Sequence, residues 1–251
     1  MSTQRYRMDL SYDGTAYSGW QVQPRHRTIQ GELERALKEI TGSRVRVEAS
    51  GRTDTGVHAR CQVAHFDLPI ARIRPEKLSL GLNALIPADI RVSKVRSVPS
   101  SFHARFSARG KEYRYFIHNA PVPSPCHRLY RAWIRSPLDL VAMRAAASEL
   151  LGYHDFAAFA ANPNRELDST CRTLHILSVT QKGAELVLRV QGDGFLYKMV
   201  RSLAGFLIRV GSGELSPDVT RAILESRTRT ARVPTASPEG LFLWRVIYGR
   251  K

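Results

Sequence analysis

The 251-residue sequence predicts an α+β fold of two similar halves, each in a βαββαβ-like order with antiparallel or mixed sheets backed by helices. Three observations predict it. Short segments alternate apolar and polar residues with period two, longer ones between them carry apolar stripes at helical spacing, and the same order of segments recurs loosely in the second half.

The first half opens with Tyr6, Met8, Leu10 and Tyr12 alternating along a strand. Thr28 is placed to cap a helix whose Ile29, Leu33, Leu37 and Ile40 form one stripe opposite Glu32, Glu34, Arg35 and Glu39, and Gly42 stops it. Val45, Val47 and Ala49 predict a second strand, residues 50–60 a glycine-bearing loop, and residues 61–67 a third strand. A short helix over 75–82 and a strand over 90–98 complete this half. In the second half, residues 112–118 place Tyr113, Tyr115 and Ile117 on one strand face. Ser136-Pro137 then caps and starts a helix with Asp139 in its first turn and Gly152 at its end. Strands over 174–179 and 185–190 follow, then a helix over 195–210 closed by Gly211, another begun by Ser216-Pro217-Asp218, and a last strand over 241–247. The join falls near Ser107 to Gly110, which divides the chain into halves 1–106 and 107–251.

A chain of this length, 43% apolar, buries a substantial core and is not a disordered polycation, yet its formal charge is +16. Of its 38 basic side chains 31 are arginine, and both halves carry a net positive charge. The planar, forked guanidinium suits phosphate oxygens and stacks on bases, so a polyanion is the expected partner. The longest strictly apolar run, Phe156 to Ala161, is far short of the ~20 residues of a spanning helix, so no membrane role is expected. Residues Met1 to Arg5 lack a hydrophobic signal core, which points to the cytoplasm. Cys61, Cys126 and Cys171 form no CxxC pair and the eight histidines no HExxH or HxH cluster, so free thiols and no metal are expected.

The chemistry concentrates in residues 51–59, GRTDTGVHA. Taken alone, Thr-Asp-Thr-Gly reads as a tight turn with Gly56 at positive φ; its setting between sheet strands is what raises the second reading, a rigid mount that holds Asp54 and Arg52 up into a cleft. Arg201 stands in the middle of a predicted helix that is apolar nearly all round. An interior guanidinium needs an anion, and Asp54, whose carboxyl such a cation would keep ionised, is the attractive partner beside other acids. Tyr113 is either a core aromatic or a platform for an unstacked base. His58 and His65 are weaker acid or base candidates, and His65 reads as a satisfied strand residue. Gly192-Asp193-Gly194 and Gly211-Ser212-Gly213 lack the context of a phosphate loop and read as turns.

At GRTDTGVHA the chain resembles the tRNA pseudouridine synthase A family, and the likeness runs through nearly all of it. It includes Tyr12 to Gln21 (YDGTAYSGWQ), Thr28 to Gly31, Asn83 to Pro87, Phe102 to Phe106, Lys111 to Tyr115, His154 to Phe156, Met199 to Arg201, Gly205 and Gly240-Leu241. The resemblance implies a pseudouridine synthase fold of two similar halves around a basic cleft. It also implies isomerisation of uridine to pseudouridine at positions 38 to 40 of the tRNA anticodon arm, by a cytoplasmic homodimer that needs no cofactor. By motif, Asp54 is the catalytic aspartate, Tyr113 the tyrosine against the target base, Arg201 the arginine that pairs with the aspartate, and Arg52 the arginine that fills the stack when the base turns out. Thr55 stands where the family usually has alanine. A non-catalytic RNA-binding protein on the same scaffold has no use for an Asp54–Arg201 pair, and a hydrolase lacks a metal cluster or a nucleophile with its base.

Overall fold

The computed structural model of the chain describes residues 3–69, 73–161 and 169–249. It is α+β, with parallel and antiparallel strand pairs and five α-helices among the described residues. Two units pack separately: Met1–Arg109 together with Phe242–Lys251, and Gly110–Leu241. Among the described residues no helix is long and apolar enough to cross a membrane.

In the first unit, β1 (Thr3–Tyr12) lies between β3 (His58–Pro69) and β4 (Ile90–Val98), antiparallel to both, and a two-residue β2 (Glu48–Ala49) pairs with β3. The final strand β10 (Leu241–Ile247) joins β3 in parallel, Phe242 opposite His58 and Leu243 opposite Ala59. Helix α1 (Ile29–Thr41) begins where Thr28 accepts from the Gly31 amide and ends at Gly42, φ 71°. It packs on α2 (Pro75–Leu85), which packs on β4. Tyr6, Met8, Leu10, Leu33, Leu37, Phe66, Leu78 and Leu82 are fully buried, each aliphatic side chain contributing about 1.5–3 kcal/mol of transfer free energy.

The second strand is shorter than Val45, Val47 and Ala49 predict. The Val47 amide donates to Glu34 Oε1 at 3.0 Å and its carbonyl accepts from Gln30 Nε2 at 3.0 Å, so side chains of α1 take the backbone groups that a ladder would use. Val45 and Val47 still bury their side chains.

In the second unit, β5 (Gly110–Asn119), β9 (Glu185–Gly192), β8 (Cys171–Lys182) and β7 (Gly152–Asp155) form an antiparallel run in that order, and β6 (Ala132–Ile134) adds to β5 in parallel. Neither β6 nor β7 is expected from the sequence, since each is too short to show a period. Helices α3 (Leu140–Glu149), α4 (Met199–Gly211) and α5 (Val219–Ser226) complete the unit. α3 starts later than Ser136-Pro137 suggests, because the Asp139 carboxylate accepts from the amides of Val141 and Ala142 and is the cap itself, not a first-turn residue. α4 also starts later: Lys198 takes φ 56°, in the left-handed region, so Arg201 lies in the first turn and not in the middle of the helix. Ten of the thirteen α4 residues are buried, as an all-round apolar sequence requires.

Candidate active site

The loop that carries Arg52 and Asp54 belongs to the first unit and is moulded on the segment that follows β1. The Trp20 amide donates to the Thr53 carbonyl at 3.0 Å, and the Gly56 amide to the Tyr17 carbonyl at 3.4 Å. Tyr12 and Thr53 share a hydroxyl–hydroxyl bond of 2.9 Å, while Gln62 Nε2 donates to the Gly51 carbonyl at 2.8 Å and, more weakly, to the Tyr12 oxygen. Burial pushes the Tyr12 phenol up to about 12, against the pull of its bonds to Thr53 and Gln62.

Two glycines allow this approach. A Cβ at Gly14 would lie 2.0 Å from the Val57 carbonyl oxygen, and one at Gly19, φ 83°, would lie 2.6 Å from that of Thr53. Tyr12 to Gln21 is thus the seat of the Asp54 loop, a role that the local sequence did not disclose. Its readable trace is two glycines within ten residues of a strand end. On that seat residues 54–57 close a turn, the Val57 amide donating to the Asp54 carbonyl at 3.1 Å with Gly56 at φ 77°. Asp54 is half-buried and Arg52 is exposed. His58 is fully buried, its Nδ1 accepting from the Gly14 amide at 3.0 Å and lying 3.2 Å from Asp13 Oδ1, so it braces the seat.

Tyr113 and Arg201 belong to the second unit. Tyr113 is buried on the core face of β5, edge-on to Phe195 with ring centroids 5.0 Å apart. Arg201, in the first turn of α4, is tied to residue 236 twice. Its Nε donates to the Ala236 carbonyl at 2.7 Å and its own carbonyl accepts from the Ala236 amide at 3.0 Å. Residues 234–237 form a strap held on every side. A Cβ at Gly205 would lie 2.3 Å from the Pro234 carbonyl oxygen. The half-buried guanidinium of Arg229 bridges Thr235 Oγ1 and Ser202 Oγ at 2.7 Å each, and Tyr115 donates its hydroxyl to the Ser237 carbonyl at 3.0 Å. Burial raises the Tyr115 phenol, against the pull of Ser237 and the Arg201 charge. The strap therefore brings the β5 tyrosine face and the start of α4 together. On the opposite face of β5 the carboxylate of Glu112, 1% exposed, lies between Arg114 Nε at 3.0 Å and Arg189 Nε at 3.1 Å.

Metal-ligand side chains converge at Glu48, His65 and His103. His65 Nδ1 accepts from the Ala104 amide at 3.3 Å, and His103 Nδ1 from the amides of Arg105 and Phe106 at 3.1 and 3.3 Å. A neutral imidazole whose Nδ1 accepts carries its proton on Nε2, so both Nε2 atoms are N–H donors, that of His103 3.4 Å from Glu48 Oε2, and do not suit a cation. His65 is the satisfied strand residue that its alternating pattern suggests, and burial holds its pKa below the ordinary value.

A family model described as tRNA pseudouridine synthase matches residues 10–107 and 146–249. The chain is 44% identical over 247 residues to the tRNA pseudouridine synthase A of Listeria innocua, covering 97% of this chain and 99% of the relative. It is 44% identical over 246 residues to the Bacillus subtilis protein of that name, with the same two coverages. It is 46% identical over 241 residues to the Bacillus pumilus one, covering 95% and 97%. Among solved structures, a chain of an archaeal box H/ACA ribonucleoprotein complex overlaps 81% of this chain and 43% of its own at 15% identity and a TM-score of 0.37, a likeness too weak to bear on the fold.

Proposed function

Because the chain belongs to the tRNA pseudouridine synthase family, we propose that it converts uridine to pseudouridine in the anticodon arm of tRNA, at positions 38 to 40, with Asp54 as the essential ionised carboxylate. The observation that supports this best is the built seat of the Asp54 loop. Two glycines, two backbone hydrogen bonds and a buried tyrosine are spent on fixing one short turn, far more than a plain connection between strands needs.

The reaction breaks N1–C1′, rotates the uracil and forms C5–C1′; the C5 proton leaves and N1 gains one. No electrons are transferred and no water is consumed, so the chemistry calls on a carboxylate and no cofactor. Asp54 attacks C1′, adds to C6, or removes a ribose proton to give a glycal, and each route requires its anionic form. Arg201 is the cation assigned to keep that carboxylate ionised, and Tyr113 the ring assigned to the face of the uracil. A phenol near pKa ~10 is a poor base at neutral pH, so loss of the C5 proton through Tyr113 runs by a relay. The target base must leave its stack at a cost of a few kcal/mol, with Arg52 filling the gap. Arginine-rich surface from two copies of the chain, working in the cytoplasm, would offset that cost through phosphate contacts.

Mapping pseudouridine chemically in an unmodified tRNA incubated with the purified protein tests the reading. Conversion at positions 38 to 40 is expected, and Asp54→Asn should abolish it while tRNA affinity stays within about twofold. Near-normal turnover by that variant would remove Asp54 from the chemistry.

A further inference from the structure

Phe106 is 77% exposed, among the most exposed large apolar side chains of the protein, and it stands in the Phe102–Phe106 stretch to which the catalytic reading gives no duty. Single exposed apolar residues are ordinary. The way this one is held is not. Ala104, fully buried, plugs the loop: its amide donates to His65 Nδ1 and its carbonyl accepts from the Tyr248 hydroxyl. Across the loop tip the Ser107 amide donates to the His103 carbonyl at 2.9 Å and the His103 amide to Ser107 Oγ at 2.9 Å. The amides of Arg105 and Phe106 both point at His103 Nδ1, and the His103 ring backs that of Phe106 at 4.3 Å between centroids. His103 is steadied in turn by Glu48, 3.4 Å from its Nε2. The Glu48–His65–His103 cluster thus does the work of a bracket, fixing a short loop that presents one aromatic ring to solvent.

We propose that Phe106 is a stacking platform for an unpaired base of the tRNA, with Arg105 beside it for a neighbouring phosphate. The inference rests on the functional reading above and adds to it a contact outside the reacting residues. Three features select RNA over a protein partner. The exposed ring packs on His103 with the exposed Arg105 beside it, a polar setting unlike the apolar core of a protein interface. The Arg105 guanidinium lies 5.7 Å from the ring centroid, so cation and π-face are offered together, as single-stranded nucleic acid requires. The chain carries a formal charge of +16, which favours a polyanion. A ring already immobilised by its own loop loses little entropy on stacking.

The test measures the dissociation constant for an unmodified tRNA transcript, single-turnover pseudouridine formation at saturating tRNA, and sedimentation, for wild type and four variants. Phe106→Ala and Phe106→Leu should both bind about 5- to 150-fold more weakly, the range expected for loss of one base–aromatic stack, with the saturated rate within about threefold of wild type. Phe106→Trp should bind within about twofold. Arg105→Gln should reduce the slope of log K against log salt by about one, which the ring variants should not do. Substitution at so exposed a ring should leave the melting temperature unchanged, so a binding loss is not one of folding. Phe106→Ala binding as wild type, Phe106→Leu matching Phe106→Trp, or a shift in sedimentation with unchanged affinity would each overturn the proposal, the last marking a contact between copies. A wild-type protein that binds tRNA and makes no pseudouridine would sink the functional reading while leaving the ring comparison intact. One that does not bind tRNA would sink both.

Discussion

Gly14 lies so close to Val57 that a Cβ on it would sit 2.0 Å from the Val57 carbonyl oxygen, with the Val57 carbonyl carbon at 2.6 Å. Both obstacles are backbone, so no side-chain rotation relieves the clash. Gly14→Ala should therefore push residues 54–57 off their seat. The expected result is a loss of about 1–3 kcal/mol in stability and a fall in the saturated rate much larger than the change in tRNA affinity. Urea unfolding and single-turnover kinetics on the one variant read both. Unchanged kinetics would mean that the loop tolerates displacement.

In the second unit the matching contact is Gly205 against Pro234. Gly205→Ala should lift the strap from α4 and, with it, the Ala236 carbonyl that Arg201 Nε grips. Arg201→Lys keeps a positive charge but has no secondary guanidinium donor for that carbonyl. Both variants should lower the pseudouridine-forming rate by at least about tenfold, with circular dichroism unchanged for Arg201→Lys. If Arg201→Lys retained full rate, the charge alone would suffice and the grip on Ala236 would be only structural.

Much of the fold was legible in the sequence because its signals are local. Thr28 and Gly42 mark α1, the alternation from Tyr6 to Tyr12 marks β1, and the last strand, Leu241–Ile247, has the bounds its sequence predicts. Where reading and structure part, a long-range bond or an unusual backbone angle decides. Val47 loses its ladder to Glu34 and Gln30, and α4 starts late because a lysine occupies the left-handed region where glycine is the usual sign. The site divides the same way. The Asp54 turn is readable from Thr-Asp-Thr-Gly, whereas its seat on Gly14 and Gly19, and the strap that Arg201 holds, join residues more than thirty positions apart and leave no periodic trace.

Tyr12 gives a prediction in pH. Its phenol ionises near pH 10 in an unfolded chain and near 12 in the buried site. Between those values the unfolded state has lost a proton that the folded state keeps. The stabilisation is therefore complete below pH 10 and declines as pH rises towards 12, at up to about 1.4 kcal/mol per pH unit. Tyr12→Phe removes the bond to Thr53 and should cost about 1 kcal/mol at pH 8. Because it also removes the titration, the gap between wild type and variant should narrow above pH 10. Urea unfolding from pH 8 to 11 checks this; parallel curves would place the alkaline loss elsewhere.

Arg52 separates chemistry from affinity. It is exposed, two residues from Asp54, on a loop whose position is fixed from below. An arginine whose duty is to occupy a vacated stack acts only after the base has turned out, so its interaction belongs to the transition state more than to the ground-state complex. Arg52→Ala should then lower the saturated rate by about tenfold or more, weaken tRNA binding by less than about threefold, and change the salt dependence of binding by no more than the loss of one phosphate contact, a slope of about one. The converse pattern, weaker binding with an unaltered saturated rate, would make Arg52 an ordinary member of the phosphate-facing surface. A substrate whose target uridine is already unpaired and mobile sharpens the comparison. If Arg52 acts in base extrusion, its removal should matter less on such an RNA than on one whose target closes the stem, and equal losses on both would remove it from that step.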